Sequence, residues 1–581
     1  MTAETGPSRP YRPRDSDAPD ERTSLIPHHT PSSHDQEAAL GASSSVDNAP
    51  SLPTRSLGYM IVLTLVLAGL QFTWTVEMGN GTPYLISLGI PKPLMSLIWI
   101  AGPLSGMLMQ PIIGLLSDTS TLSWGKRRPF IIAGTIGVVT SLLVLGWTRE
   151  VVELIAGGRR SIEHEHKVRT ATSILAVFMI YLLDFAINTI QASSRTLIVD
   201  SVSPQLQSSA NAWGSRMIGI GNVFGYLSGY MNLPRYLPAL GFTQMKVLCA
   251  IASAVLILTV AITCASIKER NPNLELQKRN QREKSGLAEV WEFASRVALS
   301  ISRIPVSIER VCNVQFFAWI GWFPFLFYIT TYIAEIYIKT SATPRAPVLF
   351  ETLGDTISAN TTVPPPPERE WEAATRAGNF AMLLFALVSL GANVLLPIIV
   401  KESSTETGEE KWWKVLTLRR AWTLSHLLFA GCMFSTYWVN GVWGTTVLVA
   451  VCGVSWALTL WAPFALISEQ ISLRAQAKAN RLQHEDTSSG TSSTDEKEEE
   501  AAGVILGVHN FYIAAPQVIS TLIASALFRI LGGSGPEGRA GDDSLGWVLR
   551  VGGISTCLAA WLSLRVRNHE EQQETDEDED N

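Results

Sequence analysis

A helix needs roughly 20 predominantly apolar residues to cross the hydrocarbon core of a bilayer. The run from Thr172 to Ser194, TSILAVFMIYLLDFAINTIQASS, meets that requirement. About eleven more do so as well. They lie near 57–79, 94–117, 129–148, 207–231, 243–266, 310–338, 378–400, 420–439, 443–468, 502–531 and 545–566. The pattern predicts an all-α, polytopic membrane protein of about twelve transmembrane helices in two six-helix halves.

Charged residues make up 17% of the chain, against about 25% in a soluble protein, and the deficit is spread along its length. A globular domain with a single anchor is therefore excluded. The net charge of −6 is dominated by acidic tails and does not suggest nucleic-acid binding. Six cysteines fall in apolar runs without CxxC or metal-ligand spacing, so they read as membrane-buried thiols. No nucleophile–base pattern points to an enzyme and no residue set points to a metal.

Residues 1–54, rich in Pro, Ser, Asp and His, are expected to form a disordered tail. A six-helix bundle is expected over 55–267, a charged linker over 268–309 and a second bundle over 310–568. An acidic insert at about 475–500 and the tail 569–581 are expected to be disordered. The first apolar run begins too deep in the chain for a cleaved signal and is expected to stay as a span.

Basic loops set the orientation. Lys126, Arg127 and Arg128, the basic central linker, and Lys411, Lys414, Arg419 and Arg420 share one face, which is predicted to be cytoplasmic, with both termini inside. The loop Arg149–Ala171 breaks the rule, since its four basic residues fall outside. Asn360, in an Asn-Thr-Thr glycosylation pattern, falls on the outer face as that topology requires.

One residue sets the chemistry. Asp184 sits near the middle of its apolar run, where an ionisable group costs about 2.5–3.5 kcal/mol and therefore faces a cavity or a partner. At 3.6 residues per turn Asp184, Asn188, Gln191 and Arg195 share one stripe. Arg195 lies three turns away, about 16 Å along the helix, too far to be a constant ion-pair partner. A carboxylate without a permanent counter-ion suits a reversible proton carrier, whereas the structural alternative is an Asp hydrogen-bonded to another helix.

The halves echo each other. Arg195-Thr-Leu-Ile-Val-Asp200 ends the fourth run, and Pro463-Phe-Ala-Leu-Ile-Ser-Glu469 ends the tenth. Gly221-Asn222 and Pro516-Gln517 then mark the following runs. Parallel repeats of this kind place a solute site at the repeat interface.

Five blocks carry a resemblance to a known family. They are GLQFTWTVEMGNGTPYLISLGIPKPLMSLIWIAGPLSGMLMQPIIGLLSD with SWGKRRPFIIAG, then YLLDFAINTIQASSRTLIVD, NAWGSRMIGIGNVFGYLSG, LGVHNFYIAAPQVIS and FFAWIGWFPFLFYITTYIAEIY. Together they resemble the sucrose/proton symporters of the glycoside–pentoside–hexuronide branch of the major facilitator superfamily, in a fungal rather than plant form. The resemblance implies that Asp184 accepts the proton and that Arg195 serves sugar binding or coupling. It also matches Asn222 and Gln517 to polar motif residues, and Asp118, Gly125, Lys126, Arg127 and Arg128 to the loop motif after the second helix. One departure stands out: where plant members have acids after FPF, this chain has Tyr328, Ile329, Thr330 and Thr331.

Sugar hydroxyls need groups that donate and accept at once, and sugar C–H faces pack on aromatic rings. Gln71, Trp74, Glu77, Asn188, Gln191, Arg216, Asn222, Trp456, Asn510 and Gln517 are the candidate substrate contacts, with Trp461 as a second ring. Glu77, at the end of the first run, reads equally as an interfacial residue, and many tryptophans read as interfacial anchors. His509 reads as structural. Asp118, Lys126, Arg127, Arg128, Asp200 and Glu469 are candidates for a cytoplasmic gate, with ordinary positive-inside topology as the bland alternative.

The expectation is a carrier for sucrose or a related α-glucoside with a proton as coupling ion, no other cofactor, and a lipid bilayer as its surroundings. Residence in the plasma membrane, or else the vacuolar membrane, and function as a monomer are expected. Alternatives are a facilitative or vacuolar carrier of the same fold and a non-transporting sugar sensor.

Overall fold

The computed structural model describes residues 56–118, 120, 122, 124–157, 162–202, 206–269, 295, 304–341, 368–401, 416–484, 492–531 and 543–566. The expected N-terminal and C-terminal tails, most of the central linker and Asn360 lie outside these residues. The first half comprises α1 (Leu57–Ser87), α2 (Lys92–Ile98), α3 (Ala101–Asp118), α4 (Arg128–Gly146), α5 (Thr148–Ala156), α6 (Ile162–Ser201), α7 (Gln207–Tyr230) and α8 (Gln244–Ser266). The second comprises α9 (Val306–Ser341), α10 (Glu368–Ile399), α11 (Leu418–Ser435), α12 (Val442–His484), α13 (Ser492–Leu531) and α14 (Ser544–Ser563).

Ten segments among the described residues have the length and hydropathy of a membrane span, α2 and α3 together making one of them. The more polar α7 and α11, 24 and 18 residues long, bring the crossings to the expected twelve. The chain is thus a multi-pass membrane protein. Among the described residues the one β element pairs Val400–Lys401 with Leu416–Thr417.

Packing repeats from one half to the other. In the first half α1 lies against α7 and α8, α3 against α6, and α4 against α6 and α8. In the second, α9 lies against α13 and α14, α10 against α12, and α11 against α12 and α14. The same pairings recur six crossings later, so the weak sequence echo has a tertiary counterpart. Between the halves α1 meets α9, α2 and α3 meet α13, and α7 meets α10.

Lipid tails are as apolar as leucine, so helices in a bilayer associate mainly through close backbone approach and hydrogen bonds. A Cβ on Gly221 would come within 2.5 Å of the Ala68 carbonyl, which is why α7 can press against α1 there. Prolines are tolerated when a neighbour takes up the freed carbonyl. Pro324 in α9 removes the amide that would bond the Ile320 carbonyl, and Ser520 of α13 donates to that oxygen at 2.9 Å instead.

Three expectations need correction. The first helix runs to Ser87, not to about 79, so Glu77 lies ten residues inside it and is 3% exposed. The external loop 149–171 is largely helical, in α5 and the first turns of α6. The insert expected to be disordered is mostly helix, since α12 continues to His484 and α13 begins at Ser492. Acidic residues follow Ser492 in the first turns of α13, where the helix dipole favours them, and good helix formers such as Ala, Glu and Lys dominate both segments.

Candidate functional site

The α6 helix brings Asp184 to full burial, and Gly102 of α3 faces it. A Cβ on Gly102 would stand 3.8 Å from Asp184 Oδ1, so α3 offers no side chain at that point. Neither oxygen of Asp184 has a hydrogen-bond partner. One turn on, Asn188 donates to Ser105 Oγ at 2.8 Å and to the Asp184 carbonyl at 3.0 Å, which fixes the wall beside the carboxyl. Ser173 of α6 donates to the Leu88 carbonyl at 3.5 Å, and Glu77 of α1 and Asp184 each lie eleven positions further in on these touching helices, so they sit at one depth. The two oxygens of Glu77 are likewise without partners.

Arg195 stands on the same helix three turns below. Its side chain is exposed. Arg216 is exposed as well and its guanidinium stacks 4.6 Å from the Trp213 ring centroid. The stripe from Asp184 to Arg195 therefore runs from a buried residue to an exposed one.

Two other candidates are bonded to each other. Gln71 Nε2 donates to Asn222 Oδ1 at 2.9 Å across the contact of α1 with α7. Trp74, Gln191, Asn510 and Gln517 are half-buried. Trp456 of α12 is half-buried against Trp319 and Trp322 of α9, with ring centroids 5.8 and 4.9 Å apart. Trp461 is half-buried too, and His509 is buried against Phe464. Trp319, Trp322 and the buried Gln315 escaped the sequence reading because α9 is apolar or aromatic along most of its length. The four residues that depart from the plant pattern, Tyr328 to Thr331, are fully buried between helices, and Tyr328 packs edge-on to Phe528.

Arg127 Nε pairs with Asp200 at 2.9 Å, and the backbone amides of Lys126, Arg127 and Arg128 all donate to the Glu269 carboxylate at 2.5–2.9 Å. Every one of these contacts stays inside the first half. They clamp the loop after α3 to the ends of α6 and α8. Glu269 was read as the start of the linker, which hid its role. The Asp118 side chain lies outside the described residues, and Glu469 is half-buried.

Contacts that do cross the halves gather at the opposite end, the one read as external. Lys92 Nζ of α2 bonds Glu335 of α9 at 2.7 Å. Thr82 donates to the Phe327 carbonyl at 2.7 Å, Trp371 to the Pro83 carbonyl at 3.2 Å and Asn379 to Asn80 at 3.1 Å. Ser525 donates to the Pro93 carbonyl at 2.9 Å, and Trp99 stacks on Phe327 at 4.7 Å between centroids. No sequence signal pairs Lys92 with Glu335, 243 positions apart.

The Lys92–Glu335 pair is largely shielded from water, with side-chain exposures of 15% and 17%. Glu335→Gln should weaken the outer closure by about 1.4 kcal/mol, tenfold in the closed-to-open ratio. A cysteine placed at the buried Thr82 should then react faster with a membrane-impermeant maleimide added outside. An unchanged rate would show that the ion pair does not hold this end shut.

Among the described residues no group of three His, Cys, Asp or Glu is placed to hold a metal ion. What the arrangement offers is two buried carboxyls, half-buried amides and tryptophans, and a cluster of contacts between the halves at one end.

Comparison with known proteins agrees with this architecture. The family described as Major Facilitator Superfamily matches residues 59–482. The general alpha-glucoside permease of Schizosaccharomyces pombe is 37% identical over 575 residues, covering 88% of this chain and 94% of the permease. The sucrose transport protein SUT1 of Oryza sativa subsp. japonica is 27% identical over 510 residues, covering 82% and 83%. Among solved structures, the crystal structure of a D-xylose-proton symporter superposes with a TM-score of 0.51 at 14% identity, covering 88% of this chain and 98% of the other. That last likeness shows the fold. The relatives are permeases and transport proteins, in keeping with the expectation that the chain is no enzyme.

Proposed function

The chain belongs to the Major Facilitator Superfamily, and from that premise we propose that it carries sucrose or a related α-glucoside across a membrane together with a proton, by alternating access. The relatives named for alpha-glucosides and sucrose support the substrate class. The single observation that carries proton coupling is Asp184, a wholly buried carboxyl with no hydrogen-bond partner and no adjacent cation, at mid-helix in a bundle built of two repeating halves. A permanently charged group there would be costly, and a structural Asp would be hydrogen-bonded. A group that gains and loses a proton fits both facts.

In this reading the conformation is closed at its outer end and wet at its inner end, where Arg195 and Arg216 meet solvent. The amides of Gln71, Asn188, Gln191, Asn222, Asn510 and Gln517, with Trp74 and Trp456, would present donors, acceptors and ring faces to the sugar. Rocking of the halves would part the Lys92–Glu335 end and close the end that carries Arg195. The proton is the only coupling ion the reading requires, and the plasma membrane is the proposed site of action.

The test is uptake of labelled sucrose and labelled maltose by the purified protein in proteoliposomes, with and without an inward proton gradient. Gradient-dependent accumulation of either sugar is expected. Equilibration without accumulation would make the protein a facilitator, and absence of both uptake and counterflow would leave a sensor.

A further inference from the structure

Glu77 has no assigned part in the cycle beyond its candidacy as a sugar contact, yet its surroundings are unlike those of a sugar contact. It is 3% exposed, ten residues inside α1, and both its carboxylate oxygens lack any donor. The same holds for Asp184, fully buried on α6, which touches α1; Ser173 of α6 donates to the Leu88 carbonyl at the end of α1, and each acid lies eleven positions, about 16 Å, inward from that contact, so the two sit at one depth. Two touching helices thus each bury an orphaned acid at the same depth.

The groups around the pair supply no counter-ion. From α6, Tyr181 sits near Asp184 and interacts with it. From α7, Tyr226 packs on α1 beside Gly79. From α3 come Gly102 and Ser105, from α10 Asn379, bonded to Asn80, and from α8 Thr259, against Gly69. On α4, Gly134 and Gly137 face Ala186 and Ile190 of α6. The cations of these elements lie toward the ends: Arg169 bonds the Leu88 carbonyl at the outer end, Lys92 is paired with Glu335 on α9, and Arg195 is three turns below.

Removing even one ion from water without a partner costs several kcal/mol, and two like ions add their mutual repulsion. A single proton placed on either acid removes one charge, ends the repulsion and creates an O–H donor for the remaining carboxylate.

We infer that Glu77 and Asp184 form one two-carboxylate proton site, in which Glu77 is a second proton-binding group and the pair takes up one proton on one side, shares it while sugar crosses, and releases it on the other. The inference rests on the proton-coupled reading above and deepens it. The proton enters as hydronium, leaves water behind, resides on one carboxyl and returns to water on the other side; no other bond changes.

The test compares wild type, Glu77→Gln, Asp184→Asn and the double variant in proteoliposomes, reading gradient-driven accumulation of labelled sucrose or maltose and, separately, counterflow without a gradient. Glu77→Gln should lower accumulation about tenfold or more while counterflow stays within about threefold of wild type. The double variant should be no worse than the weaker single one, because the two groups act as a unit. Equal loss of counterflow and accumulation in Glu77→Gln would make Glu77 a sugar contact and overturn the inference. So would unchanged accumulation, or losses that multiply in the double variant. Should Glu77→Gln fail to fold, Glu77→Asp decides: accumulation kept supports the pair, and accumulation lost with counterflow intact overturns it. A wild-type protein that shows counterflow but never accumulates defeats the symport reading and the pair with it, whereas a failure confined to the Glu77 variants defeats the pair alone.

Discussion

Asp184→Asn should abolish accumulation of sugar against its gradient while leaving counterflow at least partly intact. The substitution keeps the shape of the side chain, so its packing opposite Gly102 and the Asn188–Ser105 bond should survive. What it removes is the ability to bind and release a proton. Each unit of pH difference supplies about 1.4 kcal/mol per proton, enough for tenfold accumulation. With one proton per sugar, a gradient of two units would sustain an accumulation ratio of about 100 in wild type, and the variant should fall to a ratio of about one. The amide resembles a protonated acid in charge, so the halves can still rock with sugar bound and exchange continues. Full, pH-dependent accumulation by the variant would remove Asp184 from the mechanism.

The largest structural effect is expected at the crossing of α9 with α14. A Cβ on Gly321 would approach the Gly552 carbonyl oxygen to 2.6 Å and its carbon to 3.2 Å, and a Cβ on Gly552 would come within 3.0 Å of Gly321 Cα. Both obstacles are backbone, so no rotamer change relieves them. Overpacking in a well-packed interior usually costs about 1–3 kcal/mol, and a branched side chain against backbone on both sides should reach or exceed the top of that range. Gly321→Leu should therefore lower the melting temperature of the detergent-purified protein sharply. Gly431→Leu on α11 is the control, because nothing lies within 4 Å of a Cβ there. Its leucine should be neutral or slightly stabilising, since glycine is a poor helix former. Equal melting of Gly321→Leu and wild type would show that α9 and α14 do not touch as described.

Much of the architecture was legible because lipid leaves a chain so few options. Length and hydropathy alone revealed the twelve crossings, including α7 and α11, whose polar residues keep them below a strict hydropathy threshold. Boundaries were less legible. Gly79, Asn80, Gly81 and Pro83 read locally as the end of a helix, yet α1 continues to Ser87. Partners far along the chain support those turns: Asn379 bonds Asn80, Phe327 accepts from Thr82 and Trp371 donates to the Pro83 carbonyl. Because the end of α1 was misplaced, Glu77 looked interfacial when it is buried at the depth of Asp184.

The gate residues show the same limit from another side. Opposite charges at adjacent helix ends were visible in the chain, but which half each one grips was not. Arg127 turns to Asp200 and the neighbouring amides turn to Glu269, all within one bundle, while the contacts that seal the halves use Lys92 and Glu335.

By itself the order of residues determined that this is a bundle of membrane helices, and it marked Asp184 and Arg195 as groups on one stripe with roles beyond packing, because an ionisable side chain within an apolar run has few cheap explanations. Only the tertiary structure decided that Glu77 is buried at the depth of Asp184, at which end contacts between the halves gather, and which charges meet. Those outcomes depend on helices placed side by side from positions hundreds of residues apart, and periodicity within a single helix carries no information about its neighbours.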